Sequence, residues 1–224
     1  VKLLALDTAG PRCSVALLLH GKLKELDVTA ERLQAEHVLP MVEKLLGEAG
    51  LKLASLDAIA FGRGPGAFTG LRVATSVAQG LAYGANLPVV LVSDLSALAA
   101  AAVRVHKVER ILACLDARMH EVYWAAYEMR AGELLSLTEE ALSPPAEVSP
   151  PSGGPWFGAG PGWGAYGEAL KARVSSLAGT DPVLLPTAGD IARLGELAFH
   201  KGHRLPPEQA LPVYLRDKVA TPKA

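Results

Sequence analysis

The sequence predicts an α/β protein of two lobes, each a mixed sheet flanked by helices. Three observations lead there. Residues 57–81, DAIAFGRGPGAFTGLRVATSVAQGL, read as a buried strand, a glycine loop and a helix. The chain before them holds three strands with hairpin spacing, and the chain after them alternates strand with helix, which mixes antiparallel with parallel pairing. The order then restarts at Arg110, with an aliphatic strand that again ends in Asp. The boundary falls near residue 105. Residues 1–105 form a first lobe and 106–224 a second, with the helix at 187–201 and the tail free to pack back on the first.

The first strands are Lys2 to Asp7, Cys13 to His20 and Leu23 to Thr29, with His20-Gly21-Lys22 as a tight hairpin turn. Asp7 and Thr8 open a small-residue turn that either faces a phosphate or cation or makes a plain Asx turn. Glu31 to Ala49 is a helix with Val38, Val42, Leu45 and Ala49 on one face and Leu39 and Leu46 on its flank. Pro40 predicts a kink or a start nearby, and Gly50 ends the helix. Glu36-His37 reads as a solvated helix edge.

Ala58 to Phe61 is a strand. Three glycines and Pro65 in Gly62-Arg63-Gly64-Pro65-Gly66 then forbid regular structure. A helix follows, with Thr69 as the expected N-cap. A strand, a glycine loop and a helix N-terminus aim backbone N–H groups at one spot. The motif is not a Walker loop, since no Lys follows the last Gly. Ala67 stands where a dinucleotide fingerprint has its third Gly, and no acidic residue follows at ribose-binding distance. Two readings stay open: a tight turn for close packing, or an anion loop using Asp7, Thr8, Gly64 and Gly66. On the helix itself, Gly70, Ala74, Ala78 and Ala82 make a small face beside a Val73, Val77, Leu81 ridge. Such a helix is covered by its own chain or used against a partner.

Leu87 to Val92 is the next strand. Ser93 or Asp94 caps an Ala-rich helix to about Val103. In the second half, Arg110 to Asp116, Glu121 to Tyr127 and Glu133 to Thr138 are strands, and Pro144 to Pro155 is a loop. Trp156 to Ala159 is a short strand before Gly160-Pro161-Gly162 and a helix from about Trp163 to Arg173. Val183 to Leu185 is a strand, and Thr187 to Lys201 a helix with Ile191, Leu194, Leu197 and Ala198 on one face. His200 and His203 are a conceivable metal pair, but cations at a helix C-terminus suit the dipole. The tail from Leu211 to Asp217 is too apolar to hang free.

Composition narrows the function. Half of the 224 residues are hydrophobic and 20% charged, and the net charge is −1. That argues against a nonspecific nucleic-acid binder. Cys13 and Cys114 lie far apart in apolar runs, which fits buried thiols in a reducing cytosol. The N-terminal apolar run meets Asp7 too soon for a signal peptide, and Pro88, Asp94 and Arg104 interrupt the longest apolar stretch, so no membrane span is expected. No Ser/His/Asp or H-E-x-x-H arrangement stands out.

Two units of β-β-β-α-β-α type, the first opening on strand-Asp-turn-strand, resemble the ribonuclease H-like lobes of the sugar kinase, Hsp70 and actin (ASKHA) superfamily. The blocks LALDTAGPRCSVAL, AFGRGPGAFTGLRVA, AQGLAYGANLPVVLVSDLSALA and LPVYLRDKVA narrow this to a resemblance to the TsaB (YeaZ) family, from end to end of the chain. That resemblance implies a cytoplasmic, non-catalytic partner of the TsaD paralogue, acting with the ATPase TsaE to form N6-threonylcarbamoyladenosine at position 37 of tRNAs that read ANN codons. It implies no cofactor and no metal of its own, and contact with tRNA only through the complex. The paralogue carries a metal-binding H-x-x-x-H where this chain reads Val92-Ser93-Asp94-Leu95-Ser96-Ala97-Leu98, without a histidine. The resemblance also implies that the helices near 31–49 and 70–82 meet the equivalent pair of the paralogue, or of a second copy when no paralogue is present. The interface would comprise Leu39, Leu46, Gly70, Val73, Ala74, Val77, Ala78 and Leu81. A sugar-kinase-like phosphotransferase using Asp7 and the glycine loop is the alternative, and a metallopeptidase a remote one.

Overall fold

The computed structural model describes residues 1–29 and 33–216. The expected start of the first helix at Glu31, and the tail from Asp217 onward, lie outside the described residues. Strands β1 (Lys2–Asp7), β2 (Arg12–Leu19), β3 (Lys22–Thr29), β4 (Ala58–Gly62) and β5 (Val89–Val92) build the first sheet, in the order β3-β2-β1-β4-β5. β1, β2 and β3 pair antiparallel; β1, β4 and β5 pair parallel. The hairpin between β2 and β3 turns where expected. His20 and Gly21 both have positive φ, 48° and 80°, which matches the twist of the flanking strands.

Helices α1 (Gln34–Ala49) and α2 (Phe68–Ala85) cover one face of this sheet. Strand periodicity sorts the side chains. Leu4, Leu6, Cys13, Val15, Leu17, Ile59 and Phe61 point to α1 and α2. Leu3, Ala5, Ala16, Leu18, Ala58 and Ala60 point the other way. That second face is rich in alanine, so a helix can approach it closely. The helix that does so is α5 (Ala188–His200), from the far end of the chain, through Ala188, Ile191 and Ala192. A Cβ on Gly195 would sit 2.9 Å from the Ala60 Cβ. The α5 N-terminus is fixed by Ser14 Oγ, which accepts the Ala188 N–H at 2.8 Å, and by Glu25, which accepts the Gly189 N–H at 2.8 Å. A carboxylate there suits the dipole.

The second sheet repeats the order of the first. Strands β6 (Arg110–Asp116), β7 (Val122–Arg130), β8 (Glu133–Ser136), β10 (Trp156–Ala159) and β11 (Leu177–Asp181) run β11-β10-β6-β7-β8, and β9 (Ala141–Ser143) also pairs with β7. A 3₁₀ turn at Pro145–Glu147 stands where the first lobe has α1. α3 (Asp94–His106) lies between the lobes. Its Ala97 packs with the α5 side of the first sheet, and Leu95, Leu98, Ala99 and Ala102 pack on Ile111, Ala113, Ala125 and Tyr127 of the second. α4 (Pro161–Lys171) covers the opposite face, where the Trp163 ring lies over Gly158.

Two expectations need correction. The last strand is Leu177–Asp181, not Val183 to Leu185. Pro182 and Pro186 flank the latter and Asp181 turns the chain by accepting the Val183 and Leu184 N–H groups, leaving Val183 83% exposed. Thr69 does not cap α2: the helix starts at Phe68, with Ala67 at the N-cap. α1 is described from Gln34 and continues through Pro40. Ser93, by contrast, caps α3 by accepting the Ser96 N–H at 3.1 Å.

Candidate functional site

The glycine loop, the end of β1 and the N-termini of α2 and α3 meet at one place. Asp7 closes β1 with its Oδ1 accepting the Ala9 N–H at 2.9 Å. Thr8 Oγ1 donates to the Gly70 carbonyl at 2.7 Å, and the Ala67 N–H donates to the Ala9 carbonyl at 2.7 Å. A side chain at Gly70 would overlap the Thr8 carbonyl, and one at Gly66 would lie 2.7 Å from the Ala9 carbonyl. Gly64, at φ 102°, donates its N–H to Asp94 Oδ2 at 2.5 Å. Its carbonyl accepts the Asp94 N–H at 3.0 Å. Thus the loop's amides at Arg63, Gly64 and Ala67 all have protein acceptors: Val92, Asp94 and Ala9. Asp7, Thr8, Gly64 and Gly66 are brought together, but by close packing of loop on strand end.

Sequence reading missed two members of this place. Asp94 is fully buried, and its carboxyl faces β1 rather than capping α3. Burial, then the neighbouring Asp7 charge, push it well above the usual carboxylate range. Asp7 is pushed up to about 6, chiefly by burial. The other is Glu140, which accepts a two-pronged bond from Arg63 at 3.1 Å on each oxygen and so ties the loop to the second lobe. Neither pairing has a sequence signal, because the partners are distant along the chain and follow no motif.

The C-terminal segment crosses the same region. Leu205 exchanges two backbone bonds with Val89, the Gln79 side chain donates to the Ala210 carbonyl, and the Val213 N–H donates to the Arg63 carbonyl at 2.7 Å. Arg216 then reaches the second-lobe turn, pairing with Glu121 at 2.6 Å and donating to the Ala117 carbonyl. In that turn Arg118, Met119 and His120 all have positive φ.

The face of α1 and α2 divides into two parts. Ala74, Ala78 and Ala82 are fully buried against the chain's own sheet, and Gly70 sits against Thr8. The small face is therefore internal, a correction to its assignment as a partner surface. It permits α2 to approach β1 and β4. Leu39 is 45% exposed and Tyr83 80%. Val73, Val77, Leu81 and Leu46 are half-buried over the core. Among the described residues, no group of three or more His, Cys, Asp and Glu side chains could hold a metal, and no helix is long and apolar enough to cross a membrane. His200 ends α5 and His203 lies beyond its cap. Burial pushes the Cys13 thiol up to about 11 and raises that of Cys114 as well, which leaves both poor nucleophiles.

Residues 28–162 match the family model described as TsaD, tRNA N6-adenosine threonylcarbamoyltransferase. Over its full length the chain is 40% identical to the tRNA threonylcarbamoyladenosine biosynthesis protein TsaB of Escherichia coli K12, covering 98% of that protein. The chain belongs to the TsaB family. The TsaB of Haemophilus influenzae is 38% identical over 99% of this chain and 96% of its own length. YeaZ from Pseudomonas aeruginosa, a solved structure of 48% identity, superposes with a TM-score of 0.91 over 96% of this chain and 99% of that one. The named TsaB relatives are biosynthesis proteins of tRNA threonylcarbamoyladenosine. The two-lobed architecture found here is that of the family.

Proposed function

We propose that this chain serves tRNA threonylcarbamoyladenosine formation as a non-catalytic subunit, in the cytoplasm, by binding a TsaD-like paralogue. The observation that carries this reading is the α1–α2 face. Leu39 on α1 stands 45% exposed, and Val73, Val77 and Leu81 form a half-buried ridge on α2; apolar side chains of this kind on two adjacent helices suit a protein partner. Near-complete coverage of TsaB relatives supports the pathway. The same face would pair two copies of this chain when the paralogue is absent. A TsaE-like ATPase joins the assembly, and tRNA is reached through the complex, consistent with a net charge of −1.

The glycine loop serves this role by packing. Its close approach to β1 sets where α2 lies, and so where the ridge faces. Reconstitution of tRNA modification from a threonylcarbamoyl-adenylate donor, the paralogue and the ATPase, with and without this chain, tests the reading. Modification should require the chain and should be lost on its omission, while the chain alone should give no product. Full modification without it, or turnover by the isolated chain, overturns the proposal.

A further inference from the structure

Asp7 ends β1 and Asp94 opens α3, and the two carboxyls lie together beneath the glycine loop. Asp94 is fully buried and Asp7 is 5% exposed. Asp94 Oδ2 accepts the Gly64 N–H, while Asp94 Oδ1 has no partner among the described residues when the pair is taken as two carboxylates. The wall beside that oxygen is closed: a Cβ on Gly62 would lie 2.6 Å from it. The charges around the pair do not neutralise it. Glu25 on β3 and Asp190 on α5 add negative potential. Arg63 on the loop is the neighbouring cation for Asp94, and its guanidinium is already forked onto Glu140. Arg104 on α3 and Arg193 on α5 are held by Asp190. Two dry carboxylates in such a field cannot both stay ionised, and one proton turns the repulsion into a hydrogen bond.

We infer that Asp7 and Asp94 share one proton, carried on Asp94 and donated to Asp7, and that this proton latches the glycine loop to the ends of β1 and α3. The raised affinity of both groups for a proton agrees with this arrangement. As pH rises and the proton leaves, repulsion between the carboxyls separates the end of β1 from the start of α3. The loop between them, and the first turn of α2 seated on Thr8, loosen. The helix proposed to face the partner thereby senses pH through a carboxyl buried within the fold. This consequence for assembly rests on the proposed role of α2; the shared proton does not.

The test uses the whole protein with its aspartate carboxyl carbons labelled with 13C, followed by NMR across pH. An Asp94→Asn variant offers an amide in place of the shared proton: its oxygen accepts from Gly64 and its N–H₂ donates to Asp7. In the natural protein one aspartate should stay protonated at pH 7, and that signal should be lost in Asp94→Asn. The Gly64 amide should lose hydrogen-exchange protection above the titration in the natural protein and keep it in the variant. If Asp94→Asn does not fold, Asp7→Asn replaces it, and the Asp94 titration should shift to lower pH. Aspartates that are all ionised at pH 7, Gly64 protection that is the same in the natural protein and Asp94→Asn, or an Asp94 titration unmoved by Asp7→Asn would each overturn the inference.

Discussion

Thr8 and Gly70 are joined by a 2.7 Å hydrogen bond from the threonine hydroxyl to the glycine carbonyl, and no side chain fits between them. The end of the first strand is thereby welded to the first turn of α2. Gly70→Ala should destabilise the protein by at least about 1–3 kcal/mol, because the added methyl collides with main chain rather than with a flexible side chain. Thr8→Val, which removes only the bond, should cost about 1 kcal/mol. Urea denaturation of both variants checks the order; an alanine variant as stable as the natural protein would refute the close contact.

The buried and exposed positions of α1 and α2 should behave oppositely on mutation. Ala78→Arg puts a charge into the buried core that also holds Phe61 and should unfold the protein. Leu39→Arg and Tyr83→Arg change side chains that stand largely in solvent. These two should leave the circular dichroism spectrum unchanged while weakening association with the paralogue and with a second copy. Sedimentation of each variant, alone and mixed, is the measurement, and unchanged assembly in both would place the interface elsewhere.

The contrast between Ala78 and Leu39 also marks what the sequence could convey. The i, i+4 recurrence of Gly70, Ala74, Ala78 and Ala82 identified a small face, but periodicity cannot say whether a small face meets a partner or the chain's own sheet. Burial decides that, and burial depends on β1 and β4, which come from elsewhere in the chain. Local signals are legible: the His20-Gly21 turn, the Gly50 stop, whose φ is 64°, and the Ser93 cap are each fixed by a few neighbouring residues. The last strand is hard to see in the sequence because Leu177–Asp181, an edge strand with half-exposed side chains, is less apolar than the Pro-flanked segment after it. The carboxyl pair and the Arg63–Glu140 fork were invisible because they belong to the tertiary fold alone.

Arg104 holds Asp190, a carboxylate 1% exposed, through bonds of 3.0 and 3.1 Å between α3 and α5. Arg104→Ala leaves that charge to Thr187 and a more distant Arg193. A loss of about 3 kcal/mol is expected, the lower end for a broken buried pair because these two contacts remain. Thermal unfolding with Arg104→Ala beside the double variant Arg104→Ala/Asp190→Asn checks the cause. The second change should recover part of the loss.

Stability should fall with rising pH across the Asp7 titration. Its proton is held more tightly in the folded state, with the pKa moved from 3.8 to about 6 by burial above all. The contribution is therefore fully present below pH ~4 and is lost as pH rises through about 6, amounting to about 3 kcal/mol at ~1.4 kcal/mol per unit. Glu48 and Glu128, lowered by Lys24 and Arg110, run the other way. Comparison with Asp7→Asn removes them from the difference. Urea midpoints measured from pH 4 to 7 should converge toward or cross those of the variant; parallel curves would count against the shift.

The helix that closes the first lobe is α5, and it is made after every strand of the two sheets described above. A nascent chain that has emerged only through residue 105 carries a sheet whose Leu3, Leu18, Val90 and Val92 side still lacks Ala188, Ile191 and Ala192 of α5 and is met by α3 through Ala97. Domains usually fold in order of synthesis, but here the amino-terminal half must wait for residues 188–200. During that interval the alanine-rich surface that α5 covers is open to chaperones or to other unfinished chains. Translation stalled before residue 188 should yield a product that aggregates or is degraded, and quality control would thus monitor completion of the second lobe through the condition of the first.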